Sequence, residues 1–455
     1  MSKTDNLPRV RIKKKKGHYH SFSLNFGKSY STVQNEELEN LLKLCDDWTA
    51  FAISFLDFIP LLTAVGYFQV DQNLDSEVVD YLRSVAISHE ENLGEADDES
   101  ELSFIIHEDS LEFVTSRLKT TRHMLRAAKT LRKSVLGSLI SEFDFLLLRF
   151  LEICAVSHPE KFVDFGEQVT LGEIKDYQTI QELVEERARK KISMKLRESH
   201  TDVIDWVMRT FSITSDLTGH KSDQIFRDFI EVCQRRHLIA HNGGIVNELY
   251  LNNCQRAGLK SDALPNIGEE VKLDGSYLRK SATRVYLTGY YILQMYMQKY
   301  FRNDFDEISG NMLGTSHDFL VNGYTKICQR ICEFAEKSSK KLDNETKLSI
   351  AVNRALCELH DPKKNSDEQL AAANGVLKDY DWSVTTPVFD LALACVRRDF
   401  SRILELAVLA EKAGVKYDEA RTWAVFKEAR EIDGFLDCFP ASPLQIPKLE
   451  ETIDT

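Results

Sequence analysis

Apolar residues recur at three- and four-residue intervals through most of the chain, a spacing that predicts helices almost throughout. Residues 35–68 open the series. Within them residues 48–68 approach the length of a membrane span, but Asp57 and Pro60 near the centre point instead to a buried helix broken or kinked at Pro60. Residues 110–156 read as two helices or one long bent one, ending at His158-Pro159. The second half, residues 135–151, is apolar nearly all round and carries only Glu142, Asp144 and Arg149 as charges, so burial on most sides is expected. A charged helix follows at 180–200, then 201–213 with the stripe Val203, Ile204, Val207, Met208 and Phe211. The next starts at Ser222 or Asp223 and stops at Asn242-Gly243-Gly244, and another spans 276–301. Residues 311–438 divide into helices at 318–337, 345–359, 366–378, 387–397, 400–413 and 417–432, a pattern of stacked hairpins without a fixed period. Two stretches depart from helical spacing. Residues 20–26 alternate and read as one edge strand in a tail, and the acidic, Gly-containing residues 90–101 read as an exposed loop.

The expected fold class is therefore all-α, and 455 residues exceed what one core normally serves. The divisions are a basic tail at 1–35, an N-terminal helical region at 36–105, a central bundle at 106–310, helical hairpins at 311–440 and a second tail at 441–455. With 43% apolar and 28% charged residues and only 9 Pro, a disordered or collagen-like chain is excluded. Residues 1–20 are polar and contain the basic run 9–16, so no secretory signal is expected there. The nine cysteines are odd in number, scattered and mostly set in apolar runs. They read as reduced thiols of a cytoplasmic protein without a membrane segment, with Cys328 and Cys332 as core residues rather than zinc ligands.

Charge narrows the possible partners. Lys and Arg number 58 against 71 Asp and Glu, a net charge of −13, so any nucleic acid must be met at a local basic patch. One candidate exists. Lys119, Arg122, Arg126, Lys129 and Lys133 are spaced 3, 4, 3 and 4 and share one helix face, with no acidic residue between Phe113 and Ser141. A phosphate-contacting stripe and a solvated helix face both fit that pattern. Tyr277, Tyr286, Tyr290, Tyr291, Tyr296 and Tyr300 fit packing better than a base-stacking platform.

The stretch that carries chemistry is Cys233-Gln-Arg-Arg-His-Leu-Ile-Ala-His-Asn-Gly-Gly244. At about 100° per residue Arg236 lies within about 20° of Phe229, on the apolar stripe of its own helix, so it needs an anionic partner or a wet cleft. His237 and His241 are i,i+4 neighbours, whereas Arg236 and His241 stand about 140° apart on a regular helix. They converge only if the last turn unwinds or a second copy supplies the other group. An imidazole titrating near neutrality and a guanidinium that holds phosphate suit cleavage of RNA by its own 2′-hydroxyl, which needs neither a metal nor a protein nucleophile. Pairing of Arg236 with Glu142 or Asp144, a capping role for the two histidines, and a metal hydrolase using His237 and His241 remain alternatives.

Arg236-His237-Leu-Ile-Ala-His241 resembles the motif of HEPN-superfamily ribonucleases, an Arg followed after four to six residues by a His. The Gly-rich sequel to Tyr250, then Leu273-Asp-Gly-Ser-Tyr277, is similar to the same group, as is the helix at 138–150. The resemblance covers roughly residues 110–305. It implies a helical bundle that dimerises with two motifs across a shared cleft. His241 would then be general base or acid, Arg236 the phosphate ligand and His237 an orienting or assisting group. Arg235 and Asn242 would be further RNA contacts, and no cofactor is needed. It also implies a toxin or antiviral-defence effector of the abortive-infection kind, with a protein partner or trigger acting through the C-terminal helices. A non-catalytic helical adaptor or sensor that binds RNA or protein is the competing expectation.

Overall fold

The computed structural model describes residues 9–15, 18–25, 35–67, 80–84, 86–93, 100–106, 111–166, 168–213, 224–338, 342–383 and 385–440. The body of the chain is all-α. Four helices form the centre: α1 (Glu36–Tyr67), α2 (Leu111–Ser157), the later helix α5 (Gln224–Asn242) and α7 (Gly275–Tyr300), with α3 (Ile180–Lys195), α4 (His200–Thr210) and α6 (Glu248–Arg256) packed around them. No described helix is long and apolar enough to cross a membrane.

Aromatic contacts fix how the four helices meet. Phe143 of α2 lies 4.5 Å from Phe229 of α5, Phe150 of α2 lies 5.2 Å from Tyr296 of α7, and Trp48 of α1 stacks 6.1 Å from Tyr286 of α7. Trp48 also donates its indole N–H to the Tyr286 carbonyl at 3.0 Å. This close approach depends on Gly289: a Cβ there would sit 2.9 Å from Trp48 Nε1 and closer still to Leu146 of α2. Tyr286, Tyr290, Tyr291 and Tyr296 are all buried, so packing is their role. Cys328 and Cys332 are likewise buried, with their sulfurs 4.0 Å apart.

Several expectations need correction. Helix α1 does not break at Pro60. Its buried face runs from Leu38 to Ile59 and joins the same core as α2 and α7, so it belongs to the central bundle rather than to a separate N-terminal region. Pro60 lies on the exposed side of α1, and Phe58 and Leu61 beside it are also exposed. Of the two expectations for 110–156, the single long helix is the one that forms: α2 runs uninterrupted over Leu111–Ser157, about 70 Å at 1.5 Å per residue. The basic run is not all tail: β1 (Arg9–Lys15) pairs antiparallel with β2 (His18–Asn25). Residues assigned to an acidic loop belong partly to a second antiparallel hairpin, β3 (Ala86–Leu93) with β4 (Ser100–Ile106). The edge strand expected at 20–26 is β2; the other three strands carry charged side chains that hid them, because pairing is a backbone property. The loop centre at 94–99, the proposed caps Ser222 and Asp223, and the tail at 441–455 lie outside the described residues.

The C-terminal helices are α8 (Phe305–Val321), α9 (Thr325–Lys337), α10 (Asn344–Leu359), α11 (Ser366–Leu377), α12 (Pro387–Val396), α13 (Ile403–Lys412) and α14 (Tyr417–Thr422). Successive pairs pack as hairpins, and their cores run on from the central bundle through one apolar cluster. The helix expected at 318–337 is divided by Asn322-Gly323, where Gly323 takes φ +79°. The one expected at 417–432 ends at Thr422, because Trp423 is extended and the chain continues in 3₁₀ turns.

Candidate functional site

The site is built at the C-terminal end of α5. Phe229, Ile230, Val232 and Cys233 bury the middle of this helix, after which only Leu238 is fully buried and His237, Ala240, His241 and Asn242 are exposed. The helix stays regular through Asn242. Gly243 and Gly244, at φ +65° and +94°, then turn the chain, and Gly244 N donates to Leu238 O at 3.2 Å. Asn242 Nδ2 donates to Ile245 O at 2.6 Å, so its amide closes the helix end. Ile245 bridges Glu270 antiparallel, and Leu238, Val246, Tyr250, Cys254 and Val271 form a small second core beneath the turn.

Two adjacent arginines meet opposite fates here. Arg235 is bound on every side. Its Nε and Nη2 reach Glu231 Oε1 at 2.7 and 2.6 Å, its Nη1 donates to Lys272 O at 3.0 Å, and its Cζ lies 4.0 Å over the Tyr277 ring. Glu231 is only 6% exposed and also accepts from Tyr250 and Tyr277 at 2.8 and 2.9 Å, with Arg284 3.8 Å away. Burial, and then the carboxylate, push both tyrosine hydroxyls above their ordinary range. This node ties α5 to α6 and α7 and commits Arg235 to the protein. Pattern reading missed Glu231; the signal was its i,i+4 relation to Arg235.

Arg236 is half-buried and, among the described residues, makes no hydrogen bond and no ion pair. The two carboxylates weighed as its partners are elsewhere. Asp144 receives His200 Nε2 at 2.9 Å, and Glu142 faces a separate cavity of about 430 Å³ between α1 and α2, lined by Trp48, Phe51, Phe145 and Arg149. His237 and His241 are exposed and stand with ring centroids 4.5 Å apart. Partial burial, then the charges of His241 and Arg236, lower the His237 pKa below its ordinary value. Because the helix is regular, Arg236 and His241 keep their 140° separation within one chain, with His237 lying between them.

The basic stripe reaches this end of α5. Lys133 Nζ donates to Gly243 O at 2.8 Å and lies 3.4 Å from Glu270, to which Lys129 is also hydrogen-bonded. Lys119, Arg122 and Arg126 are exposed farther out, and among the described residues their charged ends carry no hydrogen bond or ion pair. Helix α2 thus holds a file of cations that ends at the motif. Compared with family models, with curated proteins and with solved structures, the chain finds no match.

Proposed function

We propose that the chain is a metal-independent endoribonuclease whose complete site needs two copies, each bringing the end of α5. The observation that carries this reading is the condition of Arg236: a guanidinium on the apolar side of its helix, unpaired among the described residues, beside two exposed imidazoles. A half-buried cation without an anion is costly unless a ligand supplies one, and a phosphodiester does.

In the proposed reaction the 2′-oxygen of RNA attacks the adjacent phosphorus. The O2′–P bond forms as the P–O5′ bond breaks, giving a 2′,3′-cyclic phosphate and a 5′-hydroxyl end. His241 of one copy takes the 2′ proton, and His241 of the other, as imidazolium, gives one to the leaving 5′ oxygen. Arg236 of the other copy holds the phosphoryl oxygens as charge develops, which matches the divergence of the two side chains within one helix. His237 stays largely neutral at pH 7 and orients its neighbour. Asn242 serves the helix end, Arg235 serves the fold, and Lys119, Arg122 and Arg126 guide the strand. A toxin or antiviral-defence effector is the setting we propose for such an activity.

Incubation with cellular RNA in chelator tests the proposal. Cyclic-phosphate ends are expected from the wild type, and none from Arg236→Ala or His241→Ala. Cleavage that survives both changes, or that never occurs, defeats it. A second reading, a helical adaptor, is favoured by one observation: Leu404 and Val408 are exposed at i,i+4 positions on α13, and Phe400 is exposed in the turn before it. It predicts that Leu404→Asp abolishes function while His241→Ala does not.

A further inference from the structure

The five cations of the α2 stripe, Lys119, Arg122, Arg126, Lys129 and Lys133, are not in one condition. Three are open to solvent, whereas the two nearest the motif, Lys129 and Lys133, both engage Glu270. The position of Glu270 is set by backbone. It bridges Ile245, Val246 N donates to Glu269 O at 2.9 Å, and Val271 N donates to Gly244 O at 2.9 Å, so the turn that closes α5 also places this carboxylate. To an ammonium group a carboxylate and a phosphate are interchangeable acceptors. We infer that Glu270 is an internal stand-in for an RNA phosphate, a latch that holds Lys129 and Lys133 until a single-stranded polyanion arriving along Lys119, Arg122 and Arg126 displaces it. The inference deepens the ribonuclease reading and rests on it for the identity of the polyanion.

Two further observations agree. Hydrogen bonding from Lys129, foremost, and the charges of both lysines hold the Glu270 carboxyl below its ordinary range, so it is ionised and competes at neutral pH. The side chains of Lys129, Lys133 and Glu270 are 56%, 26% and 36% exposed, and ion pairs this open shift an equilibrium by only about two- to tenfold. Such a latch selects rather than blocks. An oligonucleotide long enough to be held by the outer three cations opens it readily, whereas one that covers only the inner pair must displace it unaided.

Fluorescence anisotropy of the full chain with a labelled, cleavage-resistant 2′-O-methyl single strand tests this. Glu270→Gln is expected to bind roughly two- to tenfold more tightly than wild type. Glu248→Gln is the control, because it makes the same change of charge at an exposed position that touches neither lysine. The gain should vanish when Lys129→Gln and Lys133→Gln are added to Glu270→Gln. If Glu270→Gln gains no more than Glu248→Gln, or gains equally without the lysines, the latch is wrong. Absence of binding by every variant overturns both latch and RNA reading. Parallel incubation with unmodified RNA separates the two ideas: a lysine-dependent gain without cleavage keeps the latch and removes the nuclease.

Discussion

The two sides of α5 differ in what has been done with charge. On one side Glu231 gathers Arg235, Tyr250, Tyr277 and Arg284 into a buried node; on the other, half-buried Arg236 and exposed His237 and His241 pair with no carboxylate among the described residues. Neighbours of one residue type thus become a fastener and, on the proposed reading, a reagent. The difference lies in a single acidic residue four positions upstream of the first arginine. A cation neutralised by its own protein contributes to stability, whereas one left open can bind only what arrives from outside.

The largest effect that sharpens this contrast is on cleavage. Arg236→Ala and His241→Ala should each lower it by about 10²- to 10⁴-fold, while their unfolding midpoints stay near wild type. A large stability loss from Arg236→Ala would erase the contrast. The opposite outcome is expected at Glu231. Glu231→Gln leaves Arg235 buried without its anion and should cost about 3–5 kcal/mol in urea unfolding, with Tyr277→Phe costing about 1 kcal/mol. A neutral Glu231→Gln would show that the node is incidental.

Next in size is the salt dependence of RNA binding. Replacing Lys119, Arg122 and Arg126 together by Gln should flatten the slope of log K against log salt by about 0.7 for each lost phosphate contact, with no change in stability. The smallest effect is a titration. His237 should titrate below its ordinary value in a ring-proton NMR experiment, and His241→Asn should move it back upward by removing a like charge. Because its folded pKa is the lower one, the unfolded chain takes up more protons as pH falls. Stability tied to His237 is therefore present above the unfolded value near 6.5 and is lost on acidification toward the folded value. A His237 that titrates above 6.5 would contradict the neutral, orienting role.

The helical body was legible because its signals are local. Periodicity located α5 and its end at Asn242-Gly243, the Pro after His158 marked the end of α2, and Asp343 and Asn365 stand at the caps of α10 and α11. What escaped is long-range. Lys129 and Glu270 are 141 residues apart, and the Glu231 node joins three helices, so no window of sequence contains either. Alternation at 20–26 located β2, but its partner in the basic run and the pair β3–β4 escaped, because their charged side chains hid a pairing that the backbone makes. Periodicity also ran across Gly323, where apolar spacing continues although the helix does not.

Gly289 makes the geometry of the molecule depend on something missing. One methyl group there would meet Trp48 and Leu146 at once, at the point where three helices touch. The smallest side chain in the bundle therefore sets how closely α1, α2 and α7 can meet, and with it the spacing of the core on which α5 rests.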